Sequence, residues 1–177
     1  MFIMRYLFFI PLIFVFLSCS AVRVNHDYDK AVDFSNYSTY NYYADMKTGL
    51  SQLDERRLLR ALDSTLKARG YRLAEEPELF INIMSDEYRG APNNNVGVGI
   101  GGTGRNVGGG ISVGLPLGGS NWKRSIQFDL VDAQRDALVW QATAESGLRD
   151  NASPSVREEQ LQAVVKKVFS KFPPKVK

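Results

Sequence analysis

Cysteine and histidine are nearly absent from this chain, whose 177 residues include one of each, Cys19 and His26. A zinc or iron site of the ordinary type needs several such ligands. A Ser-His-Asp or Cys-His arrangement would have to use His26, and the sequence indicates no nucleophile beside it. A lone cysteine forms no disulfide within its own chain. We therefore expect no metal, no cofactor and no nucleophilic active site of these kinds.

The chain also lacks a cluster of basic residues and a complete nucleotide-binding motif. Without residues 1–18, 21 basic side chains stand scattered among 19 acidic ones, which is not the clustered pattern of a nucleic-acid-binding surface. Residues 99–104 formally match the dinucleotide fingerprint, but neither the helix nor the acidic residue that it requires follows. We expect neither nucleic acid nor nucleotide as a partner.

Residues 1–18 have the form of a secretory signal peptide. Arg5 supplies a positive start, and residues 6–17 are apolar but too short to span a membrane, which takes about 20 residues as a helix. The end of this stretch, Phe16-Leu17-Ser18-Cys19, resembles a bacterial lipobox, although the usual residue at the position of Phe16 is Leu. The resemblance implies that residues 1–18 are removed and that acyl chains on Cys19 hold the protein on a membrane. There are two alternatives: an ordinary cleaved signal peptide, or a cytosolic protein with an apolar N-terminal strand and a buried free cysteine.

The residues after Cys19 indicate which membrane the anchor would use. Ser20 rather than aspartate follows the cysteine, which resembles the sorting pattern for the outer membrane. The acidic residues that mark surface export in some bacteria are missing, since the first acid is Asp27. We expect the protein to be lipid-anchored in the outer membrane and to face the periplasm.

Residues 19–177 have the length of a single domain with a sizeable core. Leucines at helical spacing predict a helix that Ser51 opens, with Asp54 as its capping-box partner and Gly70 at its end. The arginines of this helix are expected to form a solvated face, and contact with anionic lipid headgroups is the alternative. A second helix is predicted to start at Ser153-Pro154-Ser155, with Ser155 and Glu158 as a capping box, and to end before Pro173.

Alternating patterns predict strands at residues 22–29, 37–43 and 79–88 and a hairpin at 123–144. In the return strand of the hairpin, Leu138 and Trp140 are expected to share the core face. The tyrosines of the second strand, Tyr37, Tyr40, Tyr42 and Tyr43, suggest either a half-buried strand or a binding surface for carbohydrate or peptide.

The segment from residue 90 to residue 119 differs from the rest, because twelve of its thirty residues are glycine. Two apolar arms flank a centre that contains Arg105 and Asn106, and Trp122 follows at the edge of the segment. This pattern predicts a glycine-rich β-hairpin or loop insertion, whose faces can approach another backbone closely. Arg105, Asn106 and Trp122 are the candidate partner contacts; a surface insertion without a partner is the alternative.

Several segments together resemble a family of bacterial lipoproteins designated domain of unknown function 4136 (DUF4136). The resemblance lies in residues 28–40, the helix end at residues 67–71, the glycine-rich middle, Leu138-Val139-Trp140 and the closing residues 171–174. It implies an envelope lipoprotein with an α+β domain and brings no catalytic residues. With two amphipathic helices, the strand pattern predicts a two-layer sandwich with a mainly antiparallel sheet and both helices on one face.

Three functions are compatible with these features. The first is a non-enzymatic, membrane-anchored envelope protein that binds or supports another envelope component. The second is a tethered hydrolase that cleaves an envelope polymer through paired carboxylates. The third is an accessory lipoprotein whose glycine-rich segment inserts into a membrane or aids secretion. We favour the first, because no residues argue for a catalytic pair.

Overall fold

The computed structural model describes residues 22–90, 122–149 and 151–174. The predicted signal peptide, Cys19, Arg105, Asn106 and the glycine-rich segment beyond Gly90 lie outside these ranges. Within them the chain forms six strands and two α-helices: β1 (Arg23–Tyr28), β2 (Thr39–Tyr42), α1 (Gln52–Ala68), β3 (Arg72–Leu73), β4 (Leu79–Arg89), β5 (Trp122–Asp132), β6 (Ala137–Gly147) and α2 (Pro154–Phe169).

The six strands form one mixed sheet in the order β1-β6-β5-β4-β2-β3. The three long pairings, β1 with β6, β6 with β5 and β5 with β4, are antiparallel. The short strand β2 pairs in parallel with β3 and β4, because α1 returns the chain to the end of the sheet where β2 started. The sheet is thus mainly antiparallel, with one parallel crossover at its side.

Helix α1 begins and ends as the sequence predicts. The Ser51 side chain accepts a hydrogen bond from the backbone N–H of Asp54 at 3.3 Å. At the other end Gly70 has a φ of +89°, and the backbone N–H groups of Gly70 and Tyr71 donate to Lys67 and Leu66. This pair of bonds is the Schellman arrangement, which requires a left-handed residue at the position of Gly70.

Both helices pack on one face of the sheet. Leu58, Leu62 and Leu66 of α1 are buried, as is the stripe of α2 from Leu161 to Phe169. They join one hydrophobic cluster with the inward-facing residues of β4, β5 and β6. The prediction of a two-layer α+β fold is therefore confirmed.

Two local predictions are wrong. A β-bulge at Leu130 and Val131 shifts the register of β6 by one residue, so Val139 and Trp140 are both buried and Leu138 is 51% exposed. In helix α2 the capping residue is Ser153 rather than Ser155, two residues earlier, and Pro154 occupies the first helical position. Trp140 itself is fully buried, as predicted.

Candidate functional site: the entry end of the sheet

One end of the sheet gathers the points where the chain enters and leaves its elements. At this end β1 begins at Arg23, β4 ends at Arg89 and β5 begins at Trp122. The end of β6 lies beside them, because Arg23 pairs with Glu145. We call this the entry end. At this end the described chain continues into the two segments that carry the predicted anchor and the glycine-rich stretch.

Trp122 is the one predicted partner contact that the structure describes. It pairs with Arg89 across the ladder, and the Arg89 guanidinium carbon lies 5.2 Å from the centre of its ring, within cation–π range. The Trp122 carbonyl accepts a hydrogen bond from the backbone N–H of Leu148 at 2.8 Å. Trp122 is half-buried, and the Arg89 guanidinium lies over its ring.

Asp54 is the buried centre of an ion-pair cluster at this end. Its side chain is 1% exposed and lies in the first turn of α1. Its Oδ1 accepts a hydrogen bond from Arg57 Nη1 at 2.8 Å. Its Oδ2 accepts from Arg157 Nη1 of α2 at 3.2 Å and contacts Arg124 Nη1 of β5 at 3.5 Å. A single carboxylate therefore joins both helices to the sheet.

A second carboxylate completes the arrangement. Arg124 donates through Nη2 to Glu87 Oε1 of β4 at 2.7 Å and through Nε at 3.2 Å. Because Arg124 is 9% exposed, its charge needs such partners to remain buried. We call these five residues (Asp54, Arg57, Glu87, Arg124 and Arg157) the Asp54 cluster. Its three guanidinium groups and two carboxylates leave one positive charge in excess.

A narrow cleft opens beside the Asp54 cluster, between the end of β6 and α2. Its interior volume is about 10 Å³, room for one water molecule or one ligand oxygen. Arg124, Arg149 and Arg157 line it together with the polar residues Ser146 and Gln160 and the apolar residues Leu148, Leu161 and Val164. None of the described residues in the lining carries a carboxylate. Arg149 is exposed, and no hydrogen bond or ion pair joins its side chain to another described residue. We call this the arginine cleft.

Sequence reasoning missed this cluster. Asp54 was expected to serve the helix cap, but its carboxylate binds three arginines instead. Arg57 was expected on a solvated face, yet its side chain is only 14% exposed. The one available signal was that Asp54 lies on the leucine stripe of α1, four residues before Leu58, where an uncompensated charge would be costly.

The predicted tyrosine surface is instead part of the packed domain. Tyr40 and Tyr42 donate hydrogen bonds to Asp63 Oδ1 of α1 at 2.8 and 2.7 Å, and burial together with this carboxylate raises the pKa of both hydroxyls. Tyr37 donates to Asp132 Oδ2 at 2.7 Å. Tyr43 stacks on Phe80 with ring centres 5.0 Å apart. The half-buried-strand interpretation is confirmed.

The opposite end of the molecule unites three distant sequence segments. Phe172, just beyond α2, contacts Phe34, Tyr71 and Trp140 with ring centres 5.8, 5.6 and 5.2 Å apart. These segments are among those that carry the family resemblance. Their convergence on one aromatic cluster gives them a packing role, since aromatic pairs add to the stability that burial provides.

The face of the sheet opposite the helices is left uncovered by the described residues. Gln127, Asp129 and Gln141 form its hydrogen-bonded centre, with both amides donating to Asp129. Exposed apolar side chains lie on both sides of this centre: Leu138, in one row with Val131 and Phe80, is 51% exposed, and Met84, beside Gln127, is 42% exposed. A shallow groove passes between them, and Asn82 and Asp129 form part of its lining. We call this surface the open face.

Carboxyl groups with shifted pKa values are held in their ionised form. Hydrogen bonds from Ser38 and Thr39 lower the pKa of Glu78, and those from Ser35 lower that of Asp33. Burial alone would raise the pKa of Asp132, but bonds from Tyr37, Arg135 and Gln134 outweigh it and lower the value. Burial and the bond to Asp132 raise the pKa of Tyr37 to about 12.

Neither a metal cluster nor a membrane-crossing helix is found in the ranges that the structure describes. No group of three or more His, Cys, Asp or Glu side chains there is arranged to hold a metal ion. Both described helices fall short of the length and apolar character that a membrane crossing requires.

A family model for DUF4136, a domain of unknown function, matches residues 24–174. The chain belongs to the DUF4136 family. The match starts within β1 and ends just beyond Phe172, so the DUF4136 domain takes in both helices and all strands of the sheet. No curated protein matches the chain.

Two solved structures resemble the DUF4136 domain in fold. A PDZ domain protein from Parabacteroides distasonis is 14% identical with a TM-score of 0.55; the match covers 88% of this chain and 36% of that one, so this chain spans about a third of that protein. The PelC dodecamer from Paraburkholderia phytofirmans is 15% identical with a TM-score of 0.51, and the match covers 85% of this chain and 96% of that one. At these identities the likeness shows a shared fold.

Proposed function

We propose that this DUF4136 protein is a lipid-anchored envelope protein without catalytic activity, whose domain binds another protein of the envelope. In this proposal residues 1–18 are removed, Cys19 carries the acyl chains, and the domain faces the periplasm from the outer membrane. The position of β1 supports a short tether, because only residues 20–22 separate Cys19 from Arg23. The entry end then lies next to the bilayer.

The observation that carries the binding role is the open face. An antiparallel sheet normally tolerates water on one face when that face is polar. Here Leu138 is exposed in one row with Val131 and Phe80, on which Tyr43 stacks, and Met84 is exposed on the other side of the Asp129 row. Exposed apolar groups bordered by amides and hydroxyls suit a protein surface, which supplies both apolar contacts and hydrogen bonds.

The carboxyl groups favour binding over hydrolysis. A glycosidase needs one carboxylic acid whose pKa is raised, so that it can protonate the leaving group. The shifted carboxyl groups of the described ranges, Asp33, Glu78 and Asp132, have lowered pKa values. Glu87 forms an ion pair with Arg124.

The same face also suits a second copy of the chain. The PelC structure, whose length the match covers almost completely, is described as a dodecamer. If this domain self-associates in a comparable way, the partner on the open face is another DUF4136 domain. The mass of the protein in solution, measured by light scattering, distinguishes this candidate from a different envelope protein.

The experiment is a crosslinked pull-down from intact envelopes with a matched pair of variants. Leu138→Lys places a charge on the open face, whereas Leu73→Lys places it on β3, where Leu73 is 59% exposed. We expect Leu138→Lys to lose the captured protein and Leu73→Lys to keep it. Equal capture by both variants would exclude the open face as the binding surface.

A further inference from the structure

We propose that the arginine cleft binds the phosphate group of an anionic phospholipid headgroup. This inference rests on the proposed lipid anchor and names a second contact between the domain and the membrane. The acyl chains would hold the protein on the bilayer, and the cleft would fix which way the domain faces.

The topology brings the cleft to the membrane side. Four residue steps separate Cys19 from Arg23, which at about 3.5 Å each is ~14 Å at full extension. Arg23 pairs with Glu145, and Arg149 follows four residues later. The cleft therefore lies at the end of the domain that the tether holds closest to the headgroups.

The chemistry of the lining selects a phosphate oxygen. Guanidinium groups bind phosphate through paired N–H donors, and the Asp54 and Glu87 carboxylates already fix the orientation of Arg124 and Arg157. The Arg149 side chain makes no hydrogen bond or ion pair with another described residue, so binding a phosphate would break none. The cleft is too narrow for a whole phosphate, so one oxygen would enter while the ester remains outside at the level of the headgroups.

The net charge of the entry end does not account for such binding, so the arginine cleft itself must provide it. The surroundings at the entry end are mixed: Asp86 and Glu145 lie in the same row of the sheet as Arg23. A general attraction to an anionic surface would therefore be weak. The Asp54 cluster, to which Arg124 and Arg157 belong, has one positive charge in excess. Arg149 adds a second in the same lining, so that positive charge is concentrated at one point.

The test uses residues 19–177 with Cys19→Ser, because every residue of the buried core lies between Val32 and Phe172. Vesicles of phosphatidylglycerol with phosphatidylcholine are sedimented with the protein and compared with vesicles of phosphatidylcholine alone. Arg149→Gln removes a cleft charge, and Arg72→Gln removes one from an exposed arginine on β3 at the opposite end. Urea unfolding of each variant confirms an unchanged fold.

We expect the protein to sediment with the phosphatidylglycerol vesicles only, and Arg149→Gln to weaken this about fivefold, the effect of ~1 kcal/mol for one arginine at an anionic surface. Arg72→Gln should bind like the parent protein. Equal weakening by both variants would show a general charge effect and overturn the proposal. It would also be overturned if inorganic phosphate bound the protein while vesicles did not, or if Arg149→Gln lost protein capture from envelopes while still binding vesicles.

This test is independent of the anchor. A failure of vesicle binding leaves the acylation of Cys19 unaffected, because the tested chain carries no acyl group. Conversely, an unmodified Cys19 in the native protein would contradict the proposed lipid anchor, whatever the result of the vesicle-binding experiment.

Discussion

Replacing Asp54 with asparagine should be among the most destabilising single changes in this domain. The change keeps the size of the side chain and one oxygen acceptor but removes the negative charge that faces Arg57, Arg124 and Arg157. Arg124 would then retain only Glu87, whose side chain is 46% exposed. The guanidinium charges that Asp54 compensates would remain, in a site so buried that the Asp54 side chain is 1% exposed.

The magnitude follows from the burial of this site. Removing one partner of a buried ion pair costs roughly 3–5 kcal/mol, because the charge that remains stays desolvated. Asparagine still accepts one hydrogen bond, and Arg157 is 29% exposed on its side chain, so water relieves part of the loss. We therefore expect a loss of about 3 kcal/mol, a large share of a typical stability of about 5–15 kcal/mol.

Urea unfolding of residues 19–177 measures this loss as a lower midpoint at an unchanged slope. Glu158→Gln is the matched control, since Glu158 also joins the two helices, through Arg60 at 3.7 Å, but with side chains 43% and 67% exposed. Such a surface pair contributes less than about 1 kcal/mol. If Asp54→Asn costs no more than Glu158→Gln, the Asp54 cluster does not hold the entry end together.

Three further changes test local features of the fold. Gly49→Ala should cost more stability than Gly70→Ala in urea unfolding: both glycines have positive φ, but only at Gly49 would the new Cβ lie 2.6 Å from a backbone oxygen of β4. Asp132→Asn should flatten the acid limb of a stability-versus-pH curve, because a lowered pKa contributes stability above pH ~4 that is lost on acidification. Val139→Ala should destabilise by about 1 kcal/mol or more and Leu138→Ala by less, measured by thermal unfolding, because the bulge buries only Val139.

Each of these has a contrary result. Equal losses at the two glycines would mean that the close approach at Gly49 relaxes without cost. An acid limb unchanged by Asp132→Asn would assign the acid sensitivity to other carboxylates. A larger loss from Leu138→Ala would place Leu138 in the core and remove the bulge from the register of β6.

The sequence was informative where the structure depends on local chemistry. The N-cap at Ser51 and the left-handed Gly70 follow from neighbouring residues alone, and alternation alone predicted the β5–β6 hairpin. The bulge at Leu130 and Val131 was not visible, because a one-residue shift in pairing depends on the partner strand rather than on the pattern of either strand. The parallel placement of β2 likewise depends on how α1 crosses the sheet.

The candidate site was predictable only in part. Trp122 was identified from its place beside the glycine-rich segment, whereas the Asp54 cluster draws its members from α1, α2, β4 and β5, far apart in the sequence. Each of these charged residues has an ordinary explanation in its own segment, as a cap, a solvated helix face or a strand end. Only the packing of the four elements shows that they share one buried site.

We propose that acyl chains on Cys19 hold this DUF4136 domain at a membrane by its entry end. Intact-mass and peptide mass spectrometry of the protein, purified with detergent from its native membranes, tests it most directly. We expect a chain that begins at Cys19, lacks residues 1–18 and carries the mass of two or three acyl chains on its first peptide. A chain that retains Met1, or that carries an unmodified Cys19, would contradict it.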